Sequence, residues 1–190
     1  MRIRLFNLYL FVAMLAIAIS SCKVPTGQAQ RDLEQEYLSK YVAKYLPTVT
    51  PKSSGLYFLE TKAGSTNPKD TIKAGDVVEV YYRGYLIEDN ATNGIQDGYK
   101  FDEVAVGYEP FSFTVGAGAV ITGWDEAIKY MKDGSEAKLV IPSKLAYSGT
   151  AQTYIPAYSP LVFYITVYKV HRTRDDWPVI EILPKTPVKR

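Results

Sequence analysis

The stretch that decides the fold is VITGWDEAIKYMKDGSEAKLVI, residues 120–141, in which a helical pattern runs directly into a strand pattern. The helical half has one apolar face, because apolar residues recur at the i, i+3, i+4 and i+7 positions: Trp124, Ala127, Ile128 and Met131. Thr122 and Asp125 have the spacing of a capping box, and the Asp-Gly pair at 133–134 predicts the end of the helix. Residues 136–141 then predict a strand.

Four further stretches are rich in β-branched and aromatic residues and predict strands: residues 55–60, 77–87, 111–115 and 161–170. In the last stretch Phe163, Ile165 and Val167 share one face, because successive side chains of a strand point to opposite sides. Residues 62–70 and 88–100 are polar and carry Gly, Asn and Asp, so they predict loops. One short helix among about five antiparallel strands predicts an α+β fold in which the sheet wraps around that helix.

A second amphipathic helix is predicted ahead of these strands, over residues 31–46, and Pro47 stops it. Its apolar residues recur at helical spacing: Leu33, Tyr37, Leu38, Tyr41, Val42, Tyr45 and Leu46. The pattern favours docking of this face on the neighbouring domain over a surface for a partner or a second copy.

The N-terminal segment, residues 1–21, predicts a lipoprotein signal peptide. Arg2 and Arg4 precede about 12 apolar residues, a run too short to span a bilayer but typical of a signal-peptide core. The single cysteine, Cys22, follows two small residues, as in a bacterial lipobox whose thiol receives a diacylglycerol. The alternative is an ordinary secretory signal with a chance cysteine. We therefore expect a lipid anchor at Cys22 in the bacterial cell envelope, and Lys23 favours the outer membrane, facing the periplasm.

The expected organisation follows from these segments. A tether and the amphipathic helix occupy residues 22–53, the main domain residues 54–170, and a C-terminal tail residues 171–190. The tail carries Trp177 and aliphatic residues among prolines, which favours packing across the domain over binding a partner.

Charge and residue counts exclude several classes of protein. The chain has 22 Lys and Arg against 20 Asp and Glu, and removal of Arg2 and Arg4 with the signal peptide leaves it neutral. No basic stripe supports nucleic-acid binding. His171 is the single histidine and Cys22 should be lipidated, so a catalytic triad, a cysteine nucleophile and a His/Cys metal site are not expected. No cofactor is expected either.

The order and spacing of several short blocks resemble the FKBP-type peptidyl-prolyl cis/trans isomerases across some 115 residues, about 55–170. The blocks are VEVYYRGYL (78–86), GYKFD (98–102), PFSF (110–113), VITGWDE (120–126), GSEAKL (134–139), IP (141–142), LAY (145–147), IP (155–156) and LVF (161–163). One block alone would mean little, but their succession is specific. The resemblance implies a prolyl isomerase that acts on X-Pro bonds of exported polypeptides and that macrolide inhibitors can bind.

By this resemblance the proline pocket has two groups of residues. The catalytic group is Tyr82, Phe101, Asp102, Tyr147 and Phe163, and the substrate-binding group is Phe111, Val120, Ile121, Trp124 and Ile155. The resemblance places Trp124 beneath the prolyl ring, and Asp102 at the pocket edge near the Tyr82 hydroxyl. The Ile121 amide and the Tyr147 hydroxyl would hold substrate carbonyls.

The chain departs from the family pattern around this pocket. Residues 88–98 form a longer insertion than in minimal members, and residues 103–109 contain no arginine to pair with the aspartate. Ser148 follows Tyr147 where glycine is usual, and the loop before Ile155 is about one residue short. The sequence thus favours a working isomerase, with a proline-recognising chaperone and an envelope-assembly lipoprotein as alternatives.

Overall fold

The computed structural model describes residues 27–67 and 70–172. The predicted signal peptide, Cys22 and residues 173–190 of the predicted tail lie outside the described residues.

An antiparallel sheet of six strands forms the body of the protein. The strands are β1 Tyr57–Lys62, β2 Val77–Asn90, β3 Gly94–Val104, β4 Phe111–Thr114, β5 Glu136–Ile141 and β6 Leu161–His171. Their order across the sheet is β1-β5-β6-β2-β3, and β4 pairs with the beginning of β2. The predicted α+β class is confirmed, with one strand more than expected.

The additional strand is β3, which begins within the predicted loop at residues 88–100 and continues past it to Val104. Strand β2 continues to Asn90, whose Oδ1 accepts two backbone N–H groups of the turn at 2.8 and 3.2 Å. Gly94 adopts a φ of +65° and opens the return strand. Sequence patterning missed β3 because it lies at the edge of the sheet and only Ile95 among its apolar residues is buried.

The central helix α2, Thr122–Ala127, continues as a 3₁₀ turn, Ile128–Tyr130. Its predicted apolar face is confirmed, since four side chains are at most 5% exposed: Trp124, Ala127, Ile128 and Met131. Gly123 lets the helix approach the sheet closely, because a Cβ there would lie 2.6 Å from a methyl carbon of Ile141.

The predicted capping box is wrong. Ile121, not Thr122, occupies the N-cap position, and no side chain of the cap residue bonds the helix. The Asp125 carboxylate turns instead toward the preceding loop, where it accepts the amides of Gly116 at 2.8 Å and Gly118 at 3.2 Å. These two loop amides have no partners in regular secondary structure, so they bind the Asp125 carboxylate that would otherwise be available to cap the helix.

The apolar faces of α2 and of the sheet close the main core. Members with no exposed surface include Leu56, Val78, Val80, Ala127, Leu139, Ile141, Leu161 and Val167. The predicted inward face of β6 is confirmed, because Phe163, Ile165 and Val167 are all buried there.

Helix α1, Gly27–Tyr45, packs on the opposite face of the sheet. It extends four residues before the predicted start, as far as the first described residue, and ends one residue earlier than predicted. The predicted docking on the domain is confirmed by a second cluster, formed by Leu38, Tyr41 and Leu46 with Ile87, Ile95, Val140 and Val162. No helix within the described ranges is long and apolar enough to cross a membrane.

A polar network lies beneath α1. Asp97 of β3 accepts hydrogen bonds from the hydroxyls of Tyr41 and, at 2.6 Å, Tyr164. The Lys138 ammonium lies about 5 Å from the ring centroids of Tyr41, Tyr45 and Tyr164. Burial lowers the pKa of Lys138. The network ties α1 to strands β3, β5 and β6.

Candidate active site

A cavity of about 220 Å³ opens where α2 meets the inner face of the sheet. Its lining residues are Tyr82, Phe101, Asp102, Phe111, Ala119, Val120, Ile121, Trp124, Tyr147 and Phe163. A single water needs only about 10–15 Å³, whereas pockets for drug-sized ligands run to about 300–1,000 Å³. The cavity therefore suits a ring-sized group with part of its flanking chain.

Nine of the ten residues predicted for the pocket line this one cavity. They come from four strands, from α2 and the residues just before it, and from the loop after β5, so no single element and no single sequence block forms the cavity. Ile155 is the exception, because its side chain is 5% exposed and lies in the main core, and it is not among the lining residues. Ala119 lines the cavity and was not predicted.

Trp124 forms the base of the cavity, with only 5% of its surface exposed. The rings of Tyr82 and Phe163 lie 4.9 and 5.1 Å from it, each nearly perpendicular to the indole. Phe111 makes a third edge contact at 6.2 Å. Edge-to-face packing of this kind fixes the orientation of each ring. The indole Nε1 is buried and has no hydrogen-bond partner in the part of the chain that the structure describes.

Gly84 of β2 leaves space for two aromatic walls of the cavity. The sequence did not predict this role for Gly84. It pairs with Phe163 of β6 on one side and Asp102 of β3 on the other. A Cβ at Gly84 would lie 2.7 Å from ring carbons of both Phe101 and Phe163. Only glycine lets these two rings meet over the strand, where their centroids are 5.5 Å apart.

Tyr82 and Asp102 form a polar edge to the cavity. The Tyr82 hydroxyl donates to Asp102 Oδ2 at 2.6 Å, so the predicted proximity is confirmed. Burial, reinforced by the Asp102 charge, raises the pKa of Tyr82, which stays a neutral donor. Asp102 Oδ1 accepts the amide of Glu103 at 2.8 Å, and Lys100 pairs with Glu103 rather than with Asp102. The Tyr82 hydroxyl and the Glu103 amide are thus the hydrogen-bond donors to Asp102. In some family members an arginine pairs with the corresponding aspartate.

Tyr147 enters the cavity from the loop after β5. A 3₁₀ turn, Ser143–Leu145, leads into it. Burial, followed by the negative charge of Asp102, raises the pKa of the Tyr147 hydroxyl. Ser148 adopts a φ of +51°, a left-handed conformation that explains why glycine is usual at this position.

The family is shown by comparison with known proteins. The family model described as "FKBP-type peptidyl-prolyl cis-trans isomerase" matches residues 69–168. The chain belongs to this family. The matched region runs from the approach to β2 almost to the end of β6, so it contains every residue that lines the cavity.

Individual relatives agree with the family match. The chain is 39% identical over 138 residues to "FK506-binding protein 4" of Mycosarcoma maydis, covering 73% of this chain and 33% of that one. It is 39% identical over 118 residues to the FKBP-type isomerase FkpA of Buchnera aphidicola, covering 62% and 41%. The crystal structure of FkpA from Escherichia coli superposes with a TM-score of 0.63 at 30% identity, covering 87% of this chain and 70% of that one.

The chain thus spans a third and about two fifths of the length of these two curated relatives.

Proposed function

We propose that this protein is a peptidyl-prolyl cis/trans isomerase that accelerates rotation about X-Pro bonds of polypeptide substrates. The observation that carries the proposal is the meeting of nine predicted pocket residues around one aromatic cavity with Trp124 at its base. Membership of the isomerase family supports the same activity.

The reaction needs a pocket of this composition. Amide resonance gives the C–N bond partial double-bond character and a rotation barrier of ~18–20 kcal/mol, so an X-Pro bond takes tens of seconds or longer to isomerise. Resonance also separates charge, and water stabilises that charge at the carbonyl oxygen. An apolar cavity that excludes water weakens the resonance form and favours the twisted amide.

The cavity residues divide this work between them. The rings around Trp124 would receive the prolyl ring and exclude water. The Tyr147 hydroxyl and the Ile121 amide are donors for substrate carbonyls, and donors held in place before the reaction stabilise the transition state most effectively. Tyr82 already donates to Asp102, so its role is to hold the carboxylate at the edge rather than to bind the substrate carbonyl. Each tenfold acceleration requires ~1.4 kcal/mol.

A protease-coupled assay with a proline-containing peptide tests the activity on the purified protein. We expect turnover above the uncatalysed rate and inhibition by a macrolide of the kind that binds this family. In a Trp177→Phe background, ligand binding should change the fluorescence of Trp124. Absence of turnover together with unchanged fluorescence at saturating macrolide would overturn the proposal.

The proposed site of action is a bacterial membrane surface. The lipobox-like sequence around Cys22 supports a lipid anchor, and a single acyl chain binds a membrane only marginally, so several chains would be needed for stable attachment. The substrates would then be exported polypeptides that fold outside the cytoplasm, and Lys23 favours the outer membrane.

The anchor can be tested by detergent partitioning of Cys22→Ala. We expect wild type in the detergent phase and the variant in the aqueous phase or as an uncleaved precursor. Ser21→Ala is a matched control, because it keeps a small residue before the cysteine. Normal partitioning of Cys22→Ala would rule out the lipid anchor.

A second function, recognition of unfolded chains with little turnover, is favoured by an exposed aromatic pair. Tyr99 is 50% exposed and Tyr154 is 60% exposed, and their ring centroids are 6.0 Å apart. Tyr99 lies two residues before Phe101 of the cavity wall. Suppression of aggregation by wild type, with loss on Tyr99→Ser and Tyr154→Ser and no measurable turnover, would support this function over catalysis.

A further inference from the structure

A buried carboxylate connects helix α1 to the loop that carries Tyr147. Glu34 of α1 is 7% exposed and Ser143 is 3% exposed. The Ser143 amide donates to Glu34 Oε1 at 2.6 Å, and the Ser143 hydroxyl donates to Glu34 Oε2 at 2.7 Å. The two residues are 109 positions apart in the chain, so this contact exists only when α1 is docked. Both carboxylate oxygens are used on one serine.

Ser143 in turn fixes the backbone on both sides of Tyr147. Its carbonyl accepts the amide of Ala146 at 2.8 Å and the amide of Ser148 at 2.8 Å. Ala146 and Ser148 are the immediate neighbours of Tyr147. The position of Ser143 therefore determines where the Tyr147 side chain enters the cavity.

A second contact from α1 reaches the same loop. Arg31 Nη1 donates to the Tyr158 hydroxyl at 3.1 Å, and its guanidinium lies 5.2 Å from the Tyr158 ring centroid. The Tyr158 amide donates to the Ser148 carbonyl at 2.7 Å. Ser148 and Tyr158 have φ values of +51° and +59°. Left-handed conformations at such residues are strained and persist only where surrounding contacts hold them.

These contacts are needed because α1 and the loop are not continuously packed. A cavity of about 380 Å³ lies between them, lined in part by Arg31, Glu34, Ser143, Ser148 and Tyr158. Side-chain hydrogen bonds across its edges therefore connect the two elements more than van der Waals packing does.

We propose that α1 is a positioning element for the isomerase site, with Glu34 holding Tyr147 in the cavity through Ser143. The proposal rests on the proposed function, because it assigns a role to Tyr147 in substrate binding. It predicts that a helix outside the family-matched region sets the geometry of the active site.

Hydrogen exchange tests the contact directly and does not depend on activity. In Glu34→Ala the amides of Ala146 and Ser148 should exchange at least about tenfold faster than in wild type, while amides of β6 stay unchanged. Glu36→Ala is the matched control, because Glu36 lies on the same helix, is exposed and pairs with Lys40 of that helix. Exchange at Ala146 and Ser148 that is no faster in Glu34→Ala than in Glu36→Ala would overturn the proposal.

Kinetics separate positioning from a general loss of structure. Glu34→Ala should lower kcat/KM by about tenfold, chiefly through a higher KM, because a displaced Tyr147 hydroxyl would hydrogen-bond the substrate less well. In a Tyr147→Phe background the same substitution should change kcat/KM little, because the group that Glu34 positions is already gone. Equal losses in both backgrounds would indicate a merely structural role and contradict the proposal.

Milder variants keep the test decisive if Glu34→Ala folds poorly. Glu34→Gln retains an acceptor oxygen and should recover part of kcat/KM, and Ser143→Ala removes only the hydroxyl bond and should give an intermediate exchange rate. If wild type shows no turnover, the proposed function fails, and the exchange rates still decide whether α1 holds the loop.

Discussion

At the scale of single residues, Tyr82 and Asp102 act as one unit rather than as two independent groups. Their hydrogen bond of 2.6 Å is short, and the pKa of Tyr82 is raised by burial and by the carboxylate, so the phenol keeps its proton. Asp102 is exposed, which means that its removal disturbs the edge of the cavity more than the core.

We predict that Tyr82→Phe and Asp102→Val each lower kcat/KM by about tenfold, or ~1.4 kcal/mol, with little change in stability. Because both variants break the same bond, the double variant should lose little more than either single one. A proline-peptide assay and urea unfolding of all four proteins measure this. Additive losses would show that the two groups act separately.

Gly84 leads to a second prediction at this scale. Gly84→Ala should destabilise the protein by about 1–3 kcal/mol and weaken macrolide binding, since its Cβ displaces the rings of Phe101 and Phe163. Gly98→Ala in the same hairpin is the matched control, because the three atoms nearest to its Cβ, at 2.2–2.7 Å, all belong to the side chain of Glu88, which is exposed and can change rotamer. Equal urea midpoints for the two variants would contradict the packing argument.

Most of the cavity could be predicted from the sequence, because its aromatic residues occur at the spacing of the family's motifs. Gly84 could not be, since its contribution is the absence of a side chain between two rings that come from other strands. Ile155 was assigned to the pocket, but the structure buries it in the core. The sequence block that contains it does not reveal which way its side chain points.

At the scale of elements, Asp97 joins the edge strand β3 to helix α1 and strand β6. Its two carboxylate oxygens accept the hydroxyls of Tyr41 and Tyr164, and Lys138 lies among the surrounding rings. A buried hydroxyl that loses its acceptor costs about 1–3 kcal/mol.

We predict that Asp97→Ala lowers the free energy of unfolding by roughly 2–4 kcal/mol, because it leaves two tyrosine hydroxyls without an acceptor. Asp89→Ala is the matched control, since Asp89 bonds the partly exposed Lys40 and such pairs contribute about 1 kcal/mol or less. Urea unfolding distinguishes them, and a loss for Asp97→Ala no greater than for Asp89→Ala would refute the role of the network.

The elements themselves were predictable to different degrees. Helix α1, the apolar face of α2 and the inward face of β6 follow from periodicity. In α1 the match with burial is partial, because Leu33 and Tyr45 of the predicted apolar face are 44% and 37% exposed. Strand β3 lies at the sheet edge and is polar, so periodicity gave no signal. The capping prediction failed because the amides of the preceding loop, at Gly116 and Gly118, bind the Asp125 carboxylate, and the spacing of Thr122 and Asp125 alone does not reveal these competing donors.

At the scale of the whole molecule, burial and nearby carboxylates raise the pKa values of several tyrosines, most strongly those of Tyr41, Tyr82 and Tyr164. Their neutral forms are favoured in the folded state. An unfolded tyrosine ionises near pH 10, below the folded values. Stability from these groups is therefore complete below about pH 10 and decreases as pH rises further. Lys138 has a lowered pKa because burial disfavours its charged form, so its contribution to stability increases with pH, but only up to about pH 10.

We predict that the urea midpoint falls between about pH 10 and 11.5, with a loss of at most ~1.4 kcal/mol per pH unit for each tyrosine ionised only in the unfolded chain. Tyr164→Phe should reduce this dependence, and Tyr108→Phe, at a tyrosine that is 74% exposed, should leave it unchanged. A midpoint that is constant or rises through this range would show that the buried tyrosines do not control alkaline stability.

If Cys22 carries a lipid, the short distance along the chain from Cys22 to Gly27 of α1 limits how far the protein could move from a membrane. If Cys22 carries the lipid, five residue steps separate the anchor from the first helical turn, a reach of at most roughly 18 Å. A domain of this size has a radius of gyration of ~15 Å, so it could not rise from the bilayer by its own diameter. The N-terminal end of α1 is also the end at which Arg31 bonds Tyr158. A molecule anchored in this way would stay within about one domain diameter of the bilayer, so its cavity could act only on chains that come equally close to the surface.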